Sequence, residues 1–322
     1  MAKTLVTGGA GFIGSHLCES LLRRGEELVV VDNFDSFYPC QAKRSNIRAI
    51  EQSGSIRFYE RDIRDQEGLN AIFSKERPDA VIHLAARAGV RDSIQAPQLY
   101  VDINVNGTLN VLEAMRQNGV TRLVFGSSSS VYGGVRETPF REDQPTVSIC
   151  PYAATKAAGE GLCSTYSEIW GFSIVCCRFF TVYGPRQRPD MAISRFARAI
   201  AARQPITIYG DGSSARDYTF VADIVDGIVR ALDVKCKFEI VNLGSTRPIR
   251  LSQLIEVLAK NLNAIPEIKY AASQPGEPYL TLADISKATK LLGYLPATQF
   301  EEGIREFVLW DSQQVQAVSV TA

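Results

Sequence analysis

The sequence predicts an α/β protein with a doubly wound parallel sheet and a smaller C-terminal α/β lobe. The first half alternates short apolar runs with segments of helical periodicity, a pattern typical of parallel strands joined by crossover helices. The runs are apolar on consecutive residues, as expected for strands that are buried on both faces. These predicted strands are 4–6, 28–31, 56–59, 80–84, 123–125 and 174–177.

Helical periodicity fills the intervals between these strands. Apolar residues recur every four positions in two early segments, at Ile13, Leu17 and Leu21 and again at Val101, Val105 and Leu109. Gly119 is the expected end of the second segment. Later helices are predicted at 192–203, 220–232 and 251–263.

The pattern loosens after about residue 180, where a Gly- and Pro-containing loop begins. We expect residues 1–180 to form the sheet lobe, joined by a returning segment at about 215–245. Residues 181–214 and 246–322 are then expected to form the smaller lobe.

Composition excludes several classes of protein. The 322 residues are 45% hydrophobic and 22% charged, with a mean hydropathy of −0.04, so a folded globular chain is expected. Lys plus Arg and Asp plus Glu both number 35, so nucleic acid and membrane surfaces are not expected partners. The sequence shows neither a signal peptide nor an apolar window long enough to span a membrane, and we expect a cytoplasmic protein.

The cysteines and histidines indicate neither a disulfide framework nor a metal site. The 7 cysteines are odd in number and none has C-x-x-C spacing. Cys176 and Cys177 lie in an apolar run and are expected to be buried thiols. His16 and His83 are the only histidines, and each lies in a helix or strand pattern, which disfavours a Ser-His-Asp hydrolase. No metal is expected.

A glycine-rich turn follows the first predicted strand and opens the first helix. Gly8, Gly11 and Gly14 are spaced by three residues, so the backbone can approach a pyrophosphate at the helix N-terminus. The next strand ends at Asp32, 18 residues after Gly14, where a carboxylate accepts ribose hydroxyls and repels a 2′-phosphate. The order of strand, glycines, helix and acid predicts NAD rather than NADP. A plain tight turn with a structural aspartate is the alternative interpretation.

Serine, tyrosine and lysine residues form a second candidate group. Residues 127–130 are four serines that follow a predicted strand, where ligands of such sheets bind. Tyr152 and Lys156 are four residues apart and share one helix face. A neighbouring ammonium and an oxidised nicotinamide would lower the tyrosine pKa from about 10, which makes Tyr152 a candidate general base for alcohol oxidation. A solvated Tyr–Lys pair is the alternative when the spacing is taken alone.

At this point the chain resembles the extended short-chain dehydrogenase/reductase family, in its nucleotide-sugar epimerase and dehydratase branch. The segments that carry the resemblance are 7–14, 62–65, 83–86, 104–108, 127–130, Tyr152 with Lys156, 178–185 and 216–218. The resemblance implies a Rossmann-like sheet, tightly bound NAD and a homodimer. It also implies that Ser128, Tyr152 and Lys156 form the catalytic group.

The cofactor residues that the glycine turn and the resemblance together assign lie mostly at predicted strand ends. They are Gly8, Gly11, Phe12, Ile13, Gly14, Asp32, Asn33, Asp62, Ile63, Leu84, Ala85, Ala86, Asn104, Tyr152, Lys156 and Phe179.

The family starts several reactions from one step, in which hydride leaves C4 of the sugar and a 4-keto sugar forms. In its 4,6-dehydratases an Asp-Glu pair follows the catalytic hydroxyl residue, and here Ser129 and Ser130 occupy those positions. UDP-glucuronate decarboxylases commonly carry a Glu at the position of Ser130, which disfavours decarboxylation less strongly. A 4-epimerase needs no further acid or base, and it is the reaction that the resemblance favours.

Two stretches favour an acidic sugar. Residues 32–38 and 186–192 resemble those of epimerases that act on UDP-glucuronate. A C6 carboxylate prefers a guanidinium or a set of hydroxyls, and Arg188 is the candidate guanidinium. The substrate-binding residues expected for a UDP-sugar are Ser128, Ser129, Ser130, Thr181, Arg188, Ala192, Arg216, Gln274 and Glu277.

Other functions stay open at this level. If Arg188 is a surface charge, UDP-glucose is the expected substrate of the epimerase. A UDP-glucuronate decarboxylase and a non-catalytic NAD-binding protein are weaker alternatives. The expected dimer pairs the helices near 98–117 and 152–170. Apolar residues of the first helix could serve either that interface or the core, and they are Val101, Val105, Leu109 and Leu112.

Overall fold

The computed structural model describes residues 2–272 and 279–320, with side chains described up to residue 314. In chain order the elements are β1 (Lys3–Thr7), α1 (Phe12–Arg23), β2 (Glu27–Asp32), α2 (Cys40–Ser53), β3 (Ile56–Glu60), α3 (Gln66–Glu76), β4 (Ala80–His83), α4 (Val90–Gln95), α5 (Pro97–Val101), α6 (Gly107–Gln117), β5 (Arg122–Ser128), α7 (Pro151–Trp170), β6 (Ser173–Phe179), β7 (Thr181–Tyr183), α8 (Ala192–Ala201), β8 (Ile206–Tyr209), β9 (Ala215–Phe220), α9 (Val221–Asp233), β10 (Phe238–Leu243), β11 (Pro248–Arg250), α10 (Leu251–Asn261), β12 (Ile268–Ala271), α11 (Ser286–Leu292) and α12 (Phe300–Val320).

A seven-stranded parallel sheet forms the centre of the molecule, in the order β10-β6-β5-β4-β1-β2-β3. One register line crosses five strands through Val30, Val6, Ile82, Val124 and Val175, and all five side chains are fully buried. Burial of such continuous apolar runs beneath helices on both faces is what makes the sheet stable. The predicted doubly wound α/β class is therefore confirmed.

The strand order reverses at β1, which pairs with β2 on one side and β4 on the other. In open α/β sheets the crevice at such a point, beyond the carboxyl ends of the strands, is where ligands bind. The helix α1 leaves this point and packs against α9 on one face, while α3, α6 and α7 cover the other.

The predicted helix around Val101 and Leu109 is interrupted. A π-helical turn spans Asp102–Asn106 between α5 and α6. The extra residue of such a turn redirects side chains, and here the side chain of Asn104 is buried. The period of four residues did not indicate this interruption.

The remaining strands form two small sheets. The first has the order β11-β9-β7 and the second pairs β12 with β8. Within the stretch 215–245, β9 lies in the first of these small sheets, whereas β10 pairs with β6 at the edge of the large sheet.

The described residues also bear on the predictions for cysteines, membrane-spanning helices and metal-binding clusters. All seven cysteines are free, and Cys176 and Cys177 are fully buried, as predicted. Within 2–272 and 279–320 no helix combines the length and apolarity needed to traverse a lipid bilayer. The same residues contain no cluster of three or more His, Cys, Asp or Glu side chains arranged to hold a metal ion.

Candidate active site

A cavity opens at the carboxyl ends of β1, β2, β4, β5 and β6. Most residues predicted to contact the cofactor line it. These are Gly8, Gly11, Phe12, Ile13, Gly14, Asp32, Asn33, Asp62, Ile63, Leu84, Ala85, Ala86, Tyr152, Lys156 and Phe179. The predicted substrate residue Arg188 lines the same cavity.

The glycine turn has a conformation and a packing that exclude side chains. Gly8 has φ of +74°, and a Cβ on it would lie 2.6 Å from the backbone nitrogen of Ala85. A Cβ on Gly14 would lie 2.2 Å from the carbonyl oxygen of Gly8. Among the described residues, no side chain caps α1 and no acidic residue lies in its first turn. The N–H groups at the start of α1 are therefore available to an anion such as a pyrophosphate.

Asp32 ends β2 as a buried carboxylate. One of its oxygens accepts from the Ala10 backbone N–H at 3.1 Å and the other from the Phe34 N–H at 2.9 Å. Burial raises the pKa of Asp32, while the Lys43 charge and these two N–H groups oppose the rise. Each oxygen has a lone pair left for a ribose hydroxyl. Asp32 and Asp62 both line the cavity.

Asp62 is held as an anion at the end of β3. The Arg64 guanidinium binds both of its oxygens, at 3.0 and 2.8 Å, and lowers the pKa of Asp62 to about 2. Asn33 donates its side-chain amide to Asp62 at 2.7 Å. The acid and the amide therefore form one polar edge of the cavity.

Tyr152 lines the cavity from α7, and Ser128 lies near it at the end of β5. Burial raises the pKa of Tyr152, and the hydrogen bond to Ser128 and the positive charge of Arg188 oppose the rise. Ser128 in turn donates to the Ser130 hydroxyl at 3.1 Å. A proton on Tyr152 thus has a hydroxyl neighbour through which it can be exchanged with a bound alcohol.

Lys156 lies one helical turn from Tyr152 and is buried. Its ammonium donates to the Gly126 carbonyl oxygen at 2.6 Å, at the end of β5. Burial lowers the pKa of Lys156 to about 8. The side chain is therefore mostly charged at neutral pH, and its charge lies beneath the cavity beside the strand end that carries Ser128.

A buried network supports these strand ends from below. Ser127 donates to Glu160, which binds the Arg178 guanidinium through two hydrogen bonds of 2.8 and 2.7 Å. The Arg178 guanidinium lies 4.7 Å from the centre of the Tyr132 ring. Glu160 is on α7 one turn after Lys156, so one helix positions both the lysine and the acid that anchors β5.

Arg188 is largely buried but already has an acidic partner. Its guanidinium donates to both oxygens of Asp190, at 3.0 and 2.8 Å. It also stacks over the Phe37 ring, 5.2 Å from the ring centre. Arg188 and Tyr152 line the same cavity, and the Arg188 charge opposes the rise in the pKa of Tyr152.

Asn104 was predicted to contact the cofactor, but it does not line the cavity. Its side chain accepts from the Arg87 N–H at 2.7 Å and donates to the Arg87 carbonyl at 2.9 Å. The π-helical turn directs this amide at the loop after β4. Its observed contacts are therefore with the wall of the site.

The other predicted substrate residues that the structure describes, Ser128 among them, do not line the cavity. Ser129 and Ser130 begin a 3-10 turn, Thr181 begins β7, and Ala192 is exposed at the start of α8. Arg216 is on β9 and donates to the Tyr279 carbonyl oxygen at 3.3 Å. Gln274 and Glu277 lie outside the described residues.

Some lining residues were missed by sequence reasoning. They are Val31, Asp35, Phe37, Tyr38, Lys43, Arg61, Arg87, Ala88, Ile103, Gly126 and Ser127. Arg87 follows the predicted Ala86 directly, and Ser127 precedes Ser128, so adjacency to a predicted strand end was the available signal. Lys43 had no such signal, because it reaches the cavity from α2 only in the folded chain.

The fold and the site together define a dinucleotide-binding α/β protein of the short-chain dehydrogenase/reductase class, with Tyr152 and Lys156 in the lining of the cavity. A family profile described as GDP-mannose 4,6-dehydratase matches residues 5–307. The chain belongs to this family, and the resemblance drawn from the sequence is confirmed.

Related proteins match over nearly the whole chain. The chain is 42% identical to a UDP-glucuronate 4-epimerase of Thermodesulfobacterium geofontis over 99% of this chain and 98% of that protein. Its structure is similar to that of a UDP-glucuronic acid 4-epimerase from Bacillus cereus in complex with UDP-glucuronic acid and NAD, with a TM-score of 0.92, 38% identity, and coverage of 97% and 99%. It is also similar to a UDP-glucose 4-epimerase of Thermotoga maritima with UDP-glucose, with a TM-score of 0.90, 31% identity, and the same coverage.

Proposed function

We propose that this chain is an NAD-dependent isomerase that interconverts UDP-glucuronate and UDP-galacturonate at C4 of the sugar. The observation that carries the proposal is that Tyr152, Lys156 and Arg188 line one cavity together with the glycine turn and Asp32. The similarity to two UDP-glucuronate epimerases supports the same reaction.

The cavity fits a dinucleotide. The cradle at Gly8 and Gly14 has no room for a Cβ, and the start of α1 has no acidic or capping side chain among the described residues. Asp32 at the end of β2 favours NAD over NADP. When bound, NAD accepts a hydride from C4 of the sugar and later returns it. We assign the NAD lobe to residues 1–180 with about 215–245, and the UDP-sugar lobe to 181–214 with 246–322.

The residues at the wall of the cavity move one proton. Tyr152 takes the proton of the 4-hydroxyl, directly or through the Ser128 hydroxyl, while the hydride leaves C4. The Arg188 charge favours the anionic form of the ring oxygen, and Lys156 is assigned the same role because the family resemblance implies it. The 4-keto sugar then turns in the cavity, and the same proton returns to its oxygen when the hydride reaches the opposite face.

This chain has no acid at the two positions where the family's 4,6-dehydratases carry an Asp-Glu pair. Ser129 and Ser130 follow the catalytic serine, and Ser130 is occupied as a hydroxyl partner of Ser128. A hydroxyl with a pKa far above 7 cannot remove a proton from C5 at neutral pH. The name of the matching family therefore does not describe the reaction we propose.

The acidic group of the sugar is assigned to Arg188, together with the hydroxyls of Ser129, Ser130 and Thr181. A guanidinium binds a carboxylate through two charge-assisted hydrogen bonds. Arg216 is assigned to the diphosphate, as the family resemblance implies. Gln274 and Glu277 are assigned to the uridine ribose on the same basis, and Ala192 is assigned to the sugar-binding residues as part of the stretch 186–192.

One observation favours a neutral sugar instead. Arg188 already binds both oxygens of Asp190, so a second carboxylate must share or displace that partner. Under this alternative the chain is a UDP-glucose 4-epimerase, as the Thermotoga maritima relative is named.

We also propose a cytoplasmic homodimer. Val101 and Leu109 are 38% and 37% exposed, whereas Leu112 is fully buried, so the apolar positions of this segment divide between surface and core. The exposed face of α7 carries Ala154 and Ala158, which permit close approach of another helix. Light scattering after size exclusion tests the dimer.

Product analysis tests the reaction. Purified protein is incubated with UDP-glucuronate carrying deuterium at C4, and the sugars are followed by NMR. We expect UDP-galacturonate that retains the deuterium, with no net NADH. UDP-xylose as the main product, or loss of deuterium to solvent, would contradict the proposal.

A further inference from the structure

Two loops meet above the glycine turn. One loop, residues 33–38, follows β2, and the other, residues 84–88, follows β4. In the sheet β1 lies between β2 and β4, so these loops stand on opposite sides of the strand that leads into the turn. Neighbouring strands are about 4.8 Å apart, and the two loops must therefore bridge about 10 Å to touch.

An ion pair connects the two loops. The Arg87 guanidinium donates to an oxygen of Asp35 at 3.0 Å, and the two side chains are 19% and 29% exposed. The same guanidinium lies 4.5 Å from the centre of the Phe37 ring. Partial burial makes such a pair stronger than an exposed one, because less water competes for the charges.

Further hydrogen bonds hold both ends of the pair. The Asn104 amide holds the N–H and carbonyl of Arg87 at 2.7 and 2.9 Å. On the other loop, Asp35 accepts from the Phe37 N–H at 2.9 Å, and Lys43 donates to the Asp35 carbonyl at 3.0 Å. The pair therefore needs little ordering when the cavity fills.

Arg87 also faces the ligand. Arg87 and Asp35 both line the cavity, and the buried Nε of Arg87 has no hydrogen-bond partner among the described residues. A buried donor without a partner is costly, and a bound oxygen atom would satisfy it.

We infer that Asp35 and Arg87 form a bridge that closes over the dinucleotide and sets how slowly it leaves. The inference rests on the proposed function only in taking NAD as the ligand. In a reaction that returns its hydride within the same turnover, release of the reduced cofactor ends catalysis. A closed bridge retains the cofactor by blocking the direction in which it would leave the glycine turn.

Cofactor exchange tests the bridge. Holoprotein is mixed with excess isotope-labelled NAD, and replacement of the bound cofactor is followed by mass spectrometry. Asp35→Asn keeps an acceptor for the Phe37 N–H but removes the charge, and Arg87→Met keeps the apolar stem. We expect each variant to exchange about tenfold faster, and the double variant no faster than either one.

Arg141→Met is the matched control, because Arg141 makes a 3.0 Å pair with Asp143 on an exposed loop away from the cavity. It should exchange at the wild-type rate. Wild-type rates in both single variants, or additive effects in the double variant, would overturn the bridge. Failure of the proposed reaction is distinguishable, since wild-type protein would then carry NAD with slow exchange and form no UDP-galacturonate.

Discussion

On the cofactor side of the cavity, the predicted residues come from the ends of adjacent strands, whereas on the sugar side they come from separate loops and a second lobe. Gly8, Asp32 and Ala85 lie at the ends of β1, β2 and β4, which are neighbours in the sheet. Arg188 and Arg216 belong to segments that the sheet does not align. The comparison teaches that a parallel sheet brings the residues at its strand ends together by its own geometry. The predicted sugar-binding residues are brought together only by contacts between segments outside the sheet.

Tyr152→Phe is expected to have the largest effect, because Tyr152 lies where the two sides meet. Loss of the proton acceptor should lower turnover of UDP-glucuronate about a thousandfold, measured by NMR. The bound NAD content should stay at the wild-type level, since the ring remains. Unchanged turnover would show that another group is the base.

Glu160→Gln tests whether the cofactor side and the sugar side of the cavity both depend on the buried network of Ser127, Glu160 and Arg178. Removing the charge leaves Arg178 buried without an acid, which should lower the free energy of unfolding by about 3–5 kcal/mol. Urea denaturation measures this change. Glu168→Gln is the control, because Glu168 pairs with Lys237 on the surface and should cost less than about 1 kcal/mol. Equal effects in the two variants would mean that the buried network does not support the site.

Arg188→Met addresses the sugar side alone. We expect kcat/KM for UDP-glucuronate to fall roughly thirtyfold, because a charged pair of hydrogen bonds is lost. UDP-glucose, which has no carboxylate, should be affected far less. Asp190→Asn is the companion variant, since it frees Arg188 from its partner and should preserve use of UDP-glucuronate. An unaltered kcat/KM for the acidic sugar in Arg188→Met would favour UDP-glucose as substrate.

A substitution of His83 is expected to have the smallest effect on the reaction, because His83 lies in the core beneath the cofactor side of the cavity. Its ring is fully buried between the Thr7 and Thr108 hydroxyls, and burial lowers the pKa of His83 from 6.5 to about 3. Between these pH values the unfolded chain binds a proton that the folded chain does not. The contribution of the neutral His83 ring to the free energy of unfolding is therefore fully present above pH 6.5, and it is lost as the pH falls toward 3.

The predicted slope from this one group is about 1.4 kcal/mol per pH unit. His83→Gln should reduce the pH dependence of the free energy of unfolding by that amount between pH 6 and 4, whatever its stability at pH 7. Denaturant titrations at several pH values provide the measurement. An identical slope in the two proteins would mean that His83 is protonated in the folded state.

Sequence patterns anticipated the cofactor side far better than the sugar side. The spacing of Gly8, Gly11 and Gly14 and the acid at the end of β2 are local features, and all four residues line the cavity. Asn104 shows where this reasoning stopped, because a π-helical turn directs its amide to Arg87 instead. Arg87 itself has no motif of its own, and its pairing with Asp35 depends on two loops that are 52 residues apart in the chain.

The sequence by itself determined the alternation of strands and helices, the glycine turn, the acid after β2 and the Tyr–Lys spacing on α7. These features depend on local backbone geometry and on the burial of continuous apolar runs, which neighbouring residues encode. Only the tertiary structure decided that Arg188 pairs with Asp190, that Glu160 anchors Ser127 and Arg178, and that Asp35 reaches Arg87. The contacts of Glu160 with Ser127 and of Asp35 with Arg87 join residues 33 and 52 positions apart, and no sequence spacing specifies which charges the packed helices and sheet bring together. Arg188 and Asp190 are only two residues apart, but the conformation of their loop, which no motif specifies, brings the two charges into contact.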